Sequence, residues 1–262
     1  AKIRASPSPS PVGEGTRAVP NWYPSSDILK DAIQIPASST GDHDQLDLAL
    51  EAVSRLIDSW TGRRFHPTVQ TRYYTARETD RLYVEDLLSV TALLTDQDGN
   101  SSYETTWASG DYHLKPFNAT AEDPPRPYWE IALRDNSTTV FPAGVRRGVQ
   151  LQGEFGVYNV RASSTALIAT GFNATALSLE VTGATSIKAG NTLLIGSEQL
   201  WVQEVSASGA GAPGGILVRR GQNGTTAASG ASGAAIEIYT YPIVERACLY
   251  QAAQDYRAKD NP

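Results

Sequence analysis

The sequence predicts an α+β protein: a small helical core with short antiparallel strands, plus an inserted all-β barrel or sandwich domain. Three observations lead there. Apolar residues recur at helical spacing within 26–33, 46–60 and 243–256, whereas alternating, β-rich segments fill 69–155. From Ser163 to Ile238 charge nearly vanishes, with seven charged residues among 76 against 43 among the other 186. More than half of the 22 glycines fall in that same window.

The elements follow in order. Residues 1–24 read as an extended Pro/Ser-rich arm, because Pro7, Pro9, Pro11 and Pro20 withhold amide donors and bias their predecessors to extended geometry. Residues 25–162 and 239–262 form the main domain, and 163–238 the inserted β-domain. A short helix is expected over Ser26–Ile33, capped by Ser25 or Ser26 and stopped by Pro36. The next helix has the clearest pattern: Leu46, Ala49, Leu50, Val53, Leu56, Ile57 and Trp60 recur at spacings of three and four, with Asp47, Glu51, Arg55 and Asp58 opposite. Leu46, Leu50, Val53, Ile57 and Trp60 are its expected core contacts. Asp42 and Gln45 look like a capping pair, and Gly62 suits a left-handed C-terminal position.

Strands are expected at Val69–Thr75, Leu82–Val84, Val90–Leu94, Tyr112–Leu114, Trp129–Leu133 and Val149–Phe155, with a turn at Asp96–Asn100. In the insertion, alternation at Leu177–Val181, Leu193–Ile195, Leu200–Val202, Ile216–Val218 and Ile236–Ile238 predicts about six short strands closed by glycine turns. Its two ends should lie close together, so deleting 163–238 is expected to leave the remaining fold intact. The final helix opens at Pro242, and its apolar residues spread round most of its circumference. Such a helix sits at the centre of the fold or is shared with another subunit.

Composition excludes several classes. The net charge of -6 argues against an electrostatically driven nucleic-acid binder. One cysteine, Cys248, rules out an intrachain disulfide framework. No apolar run approaches the roughly 18 residues of a membrane span. Lacking an initiator Met and a signal-peptide pattern, the sequence reads as trimmed at its start and made inside the cell, and no membrane partner is expected.

Catalytic constellations are also missing. His43, His66 and His113 show no ligand spacing, so no metal is expected. Cys248 falls on an apolar helix face without an activating base. Gly209–Gly215 lacks the GK[ST] ending of a phosphate loop, and the pairs Glu85-Asp86 and Glu122-Asp123 have no acid/base partner. The expectation is a non-enzyme without cofactors. Trp107, Tyr128 and Trp129 read as strand packing or as a sugar-binding platform.

The run from Leu46 to Phe65, ending Ser59-Trp60-Thr61-Gly62-Arg63-Arg64-Phe65, resembles the signature helix of head–tail connector (adaptor) proteins of long-tailed bacteriophages. The aromatic-rich Thr71-Arg72-Tyr73-Tyr74, the phrase Leu87-Leu88-Ser89-Val90 and the closing helix Val244–Ala253 follow in the family's order. The likeness covers about 42–160 and 241–259. The insertion departs from it; Leu193–Leu200 and Val218–Ala228 instead resemble a small β-module of phage virion proteins.

The connector resemblance implies a virion protein of the neck, a ring of twelve identical subunits joining the portal of the filled capsid to the tail. It further implies contact with the portal protein and with a tail-side neck protein (terminator or stopper), and non-specific passage of DNA through the ring. Val244, Ala247, Tyr250, Tyr256, Arg257 and Lys259 are the candidate oligomer or portal contacts. The alternative is a surface or tail-fibre-like module that recognises a glycan or host surface through the β-domain, with Trp201 or Trp107.

Overall fold

Three helices and two antiparallel sheets make up a mixed α+β fold in which strand dominates. The computed structural model describes residues 21–36, 43–123, 125–135, 137–157, 160–206 and 214–258. Most of the expected arm, together with Asp42 and Lys259, lies outside the described residues.

Helix α1 (Ser26–Ile33) starts where the Ser25 hydroxyl accepts the Ile28 N–H and stops at Gln34 in left-handed geometry. Helix α2 (His43–Thr61) ends before Gly62, whose φ of 64° needs the freedom of a residue without Cβ. Helix α3 spans Pro242–Ala258. Leu46, Leu50, Val53 and Ile57 of α2 meet Val244, Cys248, Ala252 and Ala253 of α3 in one buried cluster. Small residues permit close approach there: Ser54 Oγ lies 3.4 Å from Cys248 Sγ.

Two residues assigned to the arm belong to this core. Trp22 and Tyr23 are buried, and the Tyr23 hydroxyl donates to Asp58 while accepting the Phe65 N–H. Aromatic rings this large yield more free energy inside than as part of a solvated tail.

The first sheet runs β1 (Thr68–Tyr74), β6 (Val149–Phe155), β2 (Arg81–Thr95), β5 (Tyr128–Leu133), β4 (Tyr112–Lys115), with the two-residue β3 (Thr105–Thr106) also on β2. Two expected strands are thus one 15-residue strand, β2. What divided them in the sequence, Glu85-Asp86, is a bulge: pairing with β5 slips between Tyr83 and Leu87, and Asp86 has φ 48°. Leu82, Leu93, Ile131, Leu151 and Phe155 bury one face with Trp107 and Phe141.

The second sheet closes on itself as β10 (Glu198–Ser206), β11 (Gly214–Gln222), β8 (Ser178–Thr182), β7 (Arg161–Ile168), β12 (Ala235–Tyr239) and β9 (Thr192–Ile195). Closure removes the exposed edges that such short strands would present. Its incoming and outgoing strands pair at the root, Arg161 opposite Tyr239 and Ala162 opposite Ile238.

The barrel is not hung on a free linker. Trp201 of β10 packs edge-on against Trp22 at 5.3 Å and so enters the helical cluster. A second seam joins it to β1: the Val69 N–H donates to the Asn223 carbonyl at 2.7 Å. Gly224 (φ 79°) is pressed so closely on Val69 that a Cβ there would stand 2.0 Å from the Val69 oxygen. Asn223 Nδ2 also donates to Asn21 and Gln199, tying barrel, sheet and the residues before α1 together.

Candidate functional site

Helix α2 has two apolar faces. The inner one holds Leu46, Leu50, Val53 and Ile57; the outer one carries Leu48, Ala52, Leu56 and Trp60, one turn apart along the helix. Trp60, expected in the core, is 70% exposed, and Leu56 is 36% exposed. The charged residues Asp44, Asp47, Glu51, Arg55 and Asp58 crowd into an arc of about 80° at 100° per residue, leaving the outer face without charge. Spacing of three and four alone cannot separate two such faces. The confinement of charge to one flank is the signal that could have done so.

Helix α3 divides in the same way. Val244, placed among the candidate contacts, is buried in the protein's own core, because it falls on the face that meets α2. Tyr256 packs partly against that core too. Ala247 and Tyr250 face outward with Ile243, and Tyr250 is 58% exposed, its hydroxyl held by Arg246 at 2.9 Å. Arg257 is exposed and its guanidinium reaches the Ala32 carbonyl at 3.4 Å.

A third surface lies at the far end of the sheet. Arg147 (φ 54°) lays its guanidinium over the Tyr73 ring at 4.3 Å, and Tyr103 packs 5.8 Å from Tyr73 while donating its hydroxyl to the Arg147 carbonyl. The Arg147 and Gly144 N–H groups hold this turn against Thr75 and Ala76, so that Arg77 follows in the chain on one side of the contact and Arg146 precedes Arg147 on the other. Among the described residues, the Arg77 and Arg146 guanidiniums make no ion pair. Elsewhere on the sheet, Trp129 stacks on Tyr83 with planes 5° apart, both half exposed.

Two groups with reactive potential, Cys248 and His66, are enclosed. Burial pushes the Cys248 thiol up to about 11, away from the thiolate a nucleophile needs. His66 is buried, and desolvation, with the Arg55 and Arg64 charges, lowers its imidazole to about 3. Trp107 is buried against Phe141 and donates to Thr95, and Trp201 is buried against Trp22, so neither offers a ring face to a sugar. Tyr128 is half-buried on the sheet core.

Asp96, Asp98 and Glu104 can each bring one oxygen within 4.8 Å of the others, a geometry open to a cation. Asp96 already accepts the Gly99 and Ser101 N–H groups there, as the turn predicted at 96–100 requires.

No family model, curated protein or solved structure matches the chain.

Proposed function

We propose that the chain is a non-enzymatic structural protein of a phage neck. Copies of it form a ring, twelve by the connector resemblance, between the portal of the filled capsid and the tail-side neck protein. The supporting observation is that α2 and α3, having completed a shared core, each keep a second apolar face pointing outward. Monomers seldom leave such surface on two neighbouring elements, and a ring subunit needs two unlike surfaces for a head-to-tail contact to close. DNA passes through this ring without sequence-specific contacts. Electron microscopy of purified protein and of whole particles tests the reading: a ring at the head–tail junction is expected. Finding the chain as a peripheral spike, or missing from particles, would refute it.

The glycan-binding alternative draws on a different observation, the exposed Tyr83–Trp129 stack, whose parallel rings could receive the apolar face of a sugar. That pair lies on the sheet and not in the barrel. A glycan array with the full chain and with Trp129→Ala separates the readings, since specific binding lost in the variant favours this one.

A further inference from the structure

We propose that, in the ring, the outer face of α2 on one copy is covered by the Tyr73–Arg147 corner of the next. This rests on the ring reading above and adds which surface meets which.

The two surfaces fit each other chemically. The α2 stripe is uncharged from Leu48 to Trp60, a little over three turns, so its partner must offer apolar or aromatic surface. Flanking it are Asp44, Asp47 and Glu51, which with Leu48, Trp22 and Trp201 line a cleft of about 480 Å³, Arg219 standing on its barrel wall. The corner supplies the complement: an exposed tyrosine with a guanidinium stacked on it, with Arg146 next in the chain to Arg147 and Arg77 next to Ala76, neither of which makes an ion pair among the described residues. Tyrosine and arginine dominate the energetic centres of interfaces, and opposite charge fixes register and speeds encounter.

The two surfaces also stand at different places on the protomer. The acidic cleft adjoins the barrel, through Trp201 and Arg219. Strand β1 touches the barrel at Val69, then runs on to Tyr74 and the corner, about 17 Å further at roughly 3.3 Å per residue. The two surfaces therefore lie apart on one protomer and cannot satisfy each other within it. Complementary surfaces that differ in position generate head-to-tail contacts, whereas a single self-complementary patch would give a closed pair.

Two variants test this in the full chain. One spoils the helix face (Leu48→Asp with Leu56→Asp); the other spoils the corner (Arg146→Glu with Arg147→Glu). Circular dichroism first establishes that both fold, and Ala52→Lys replaces the helix variant if it does not. Analytical ultracentrifugation then reads assembly. Alone, each variant should self-associate about tenfold or more weakly than the unmodified chain. Mixed together, each retains the surface the other lacks, so the mixture should form pairs and nothing larger. Absence of pairs at concentrations up to about 1 mM would overturn the inference, as would self-pairing of the corner variant through α2. Rings at the neck of particles, combined with no pairing in the mixture, would leave the ring reading standing and remove this contact alone.

Discussion

Glu198 and Arg220 form a two-pronged ion pair in the barrel wall, with Nε and Nη2 donating to the two carboxylate oxygens at 2.8 and 2.7 Å. Both side chains are almost wholly enclosed. Arg220 also donates to the Asn173, Ala176 and Ala228 carbonyls, and Glu198 accepts the Gly221 and Ala228 N–H groups. One ion pair thereby pins two loops, at Asn173–Ala176 and at Ala228, to the end of β11.

Removing one member should be costly. Arg220→Ala leaves a buried carboxylate without its counter-charge, and a loss of about 3–5 kcal/mol is expected in urea unfolding. Burial would raise the Glu198 carboxyl, but the Arg220 guanidinium and the two N–H groups outweigh it and hold it below the usual range. The stabilisation is therefore complete above the unfolded-state glutamate pKa and disappears as pH falls through the lower folded one. Glu198→Gln should weaken this acid sensitivity.

His66 adds a second acid-sensitive component at higher pH. Its folded pKa of about 3 lies below the ordinary value of 6.5, so between these the unfolded chain binds a proton that the folded chain does not. Stability should fall by up to about 1.4 kcal/mol for each pH unit as pH drops through that window. Thermal melts of His66→Gln between pH 6.5 and 4 should show a shallower decline than the unmodified protein.

The two faces of α2 should respond oppositely to charge. Leu50→Asp forces a carboxylate into the shared core and is expected to abolish folding, at about 4 kcal/mol or more. Leu56 recurs at the same spacing but lies on the outer face, so Leu56→Asp should cost only about 0.5 kcal/mol. Circular dichroism of the two variants, measured side by side, checks this.

Deleting the barrel should do more damage than its paired root implies. The root places the cut ends in register, but removal takes Trp201 from the helical cluster and strips the cover from Trp22. Aggregation of the 163–238 deletion is expected, with dye-binding apolar surface detectable by fluorescence, in place of the intact remainder expected from the sequence.

Regular periodicity was the most legible part of the fold. The bounds of α1, the body of α2 and most strands follow from spacing and turn residues, because each element's inward positions repeat at its own period. Long-range pairing left no such trace. The fusion of 82–84 with 90–94 depends on a bulge at Asp86 that reads locally as a turn. The place of Trp22 depends on Trp201, far along the chain. Strand β7 was missed because its run Arg-Ala-Ser-Ser-Thr is polar and only Ala166 and Ile168 point inward. At the candidate site, Ala247 and Tyr250 could be named from the width of the apolar surface, but which half faces inward is decided by α2. The corner at Tyr73 and Arg147 joins residues more than 70 positions apart, beyond what any local pattern reveals.

The pairing of Arg161 with Tyr239 has a mechanical consequence. Tension pulled along the chain from β6 towards α3 can cross from one strand to its neighbour at the barrel's root, through hydrogen bonds already in place. The other four strands of the barrel then stand outside the line of force, as a side branch does on a taut rope. The chain can therefore be strained end to end without prying that module open.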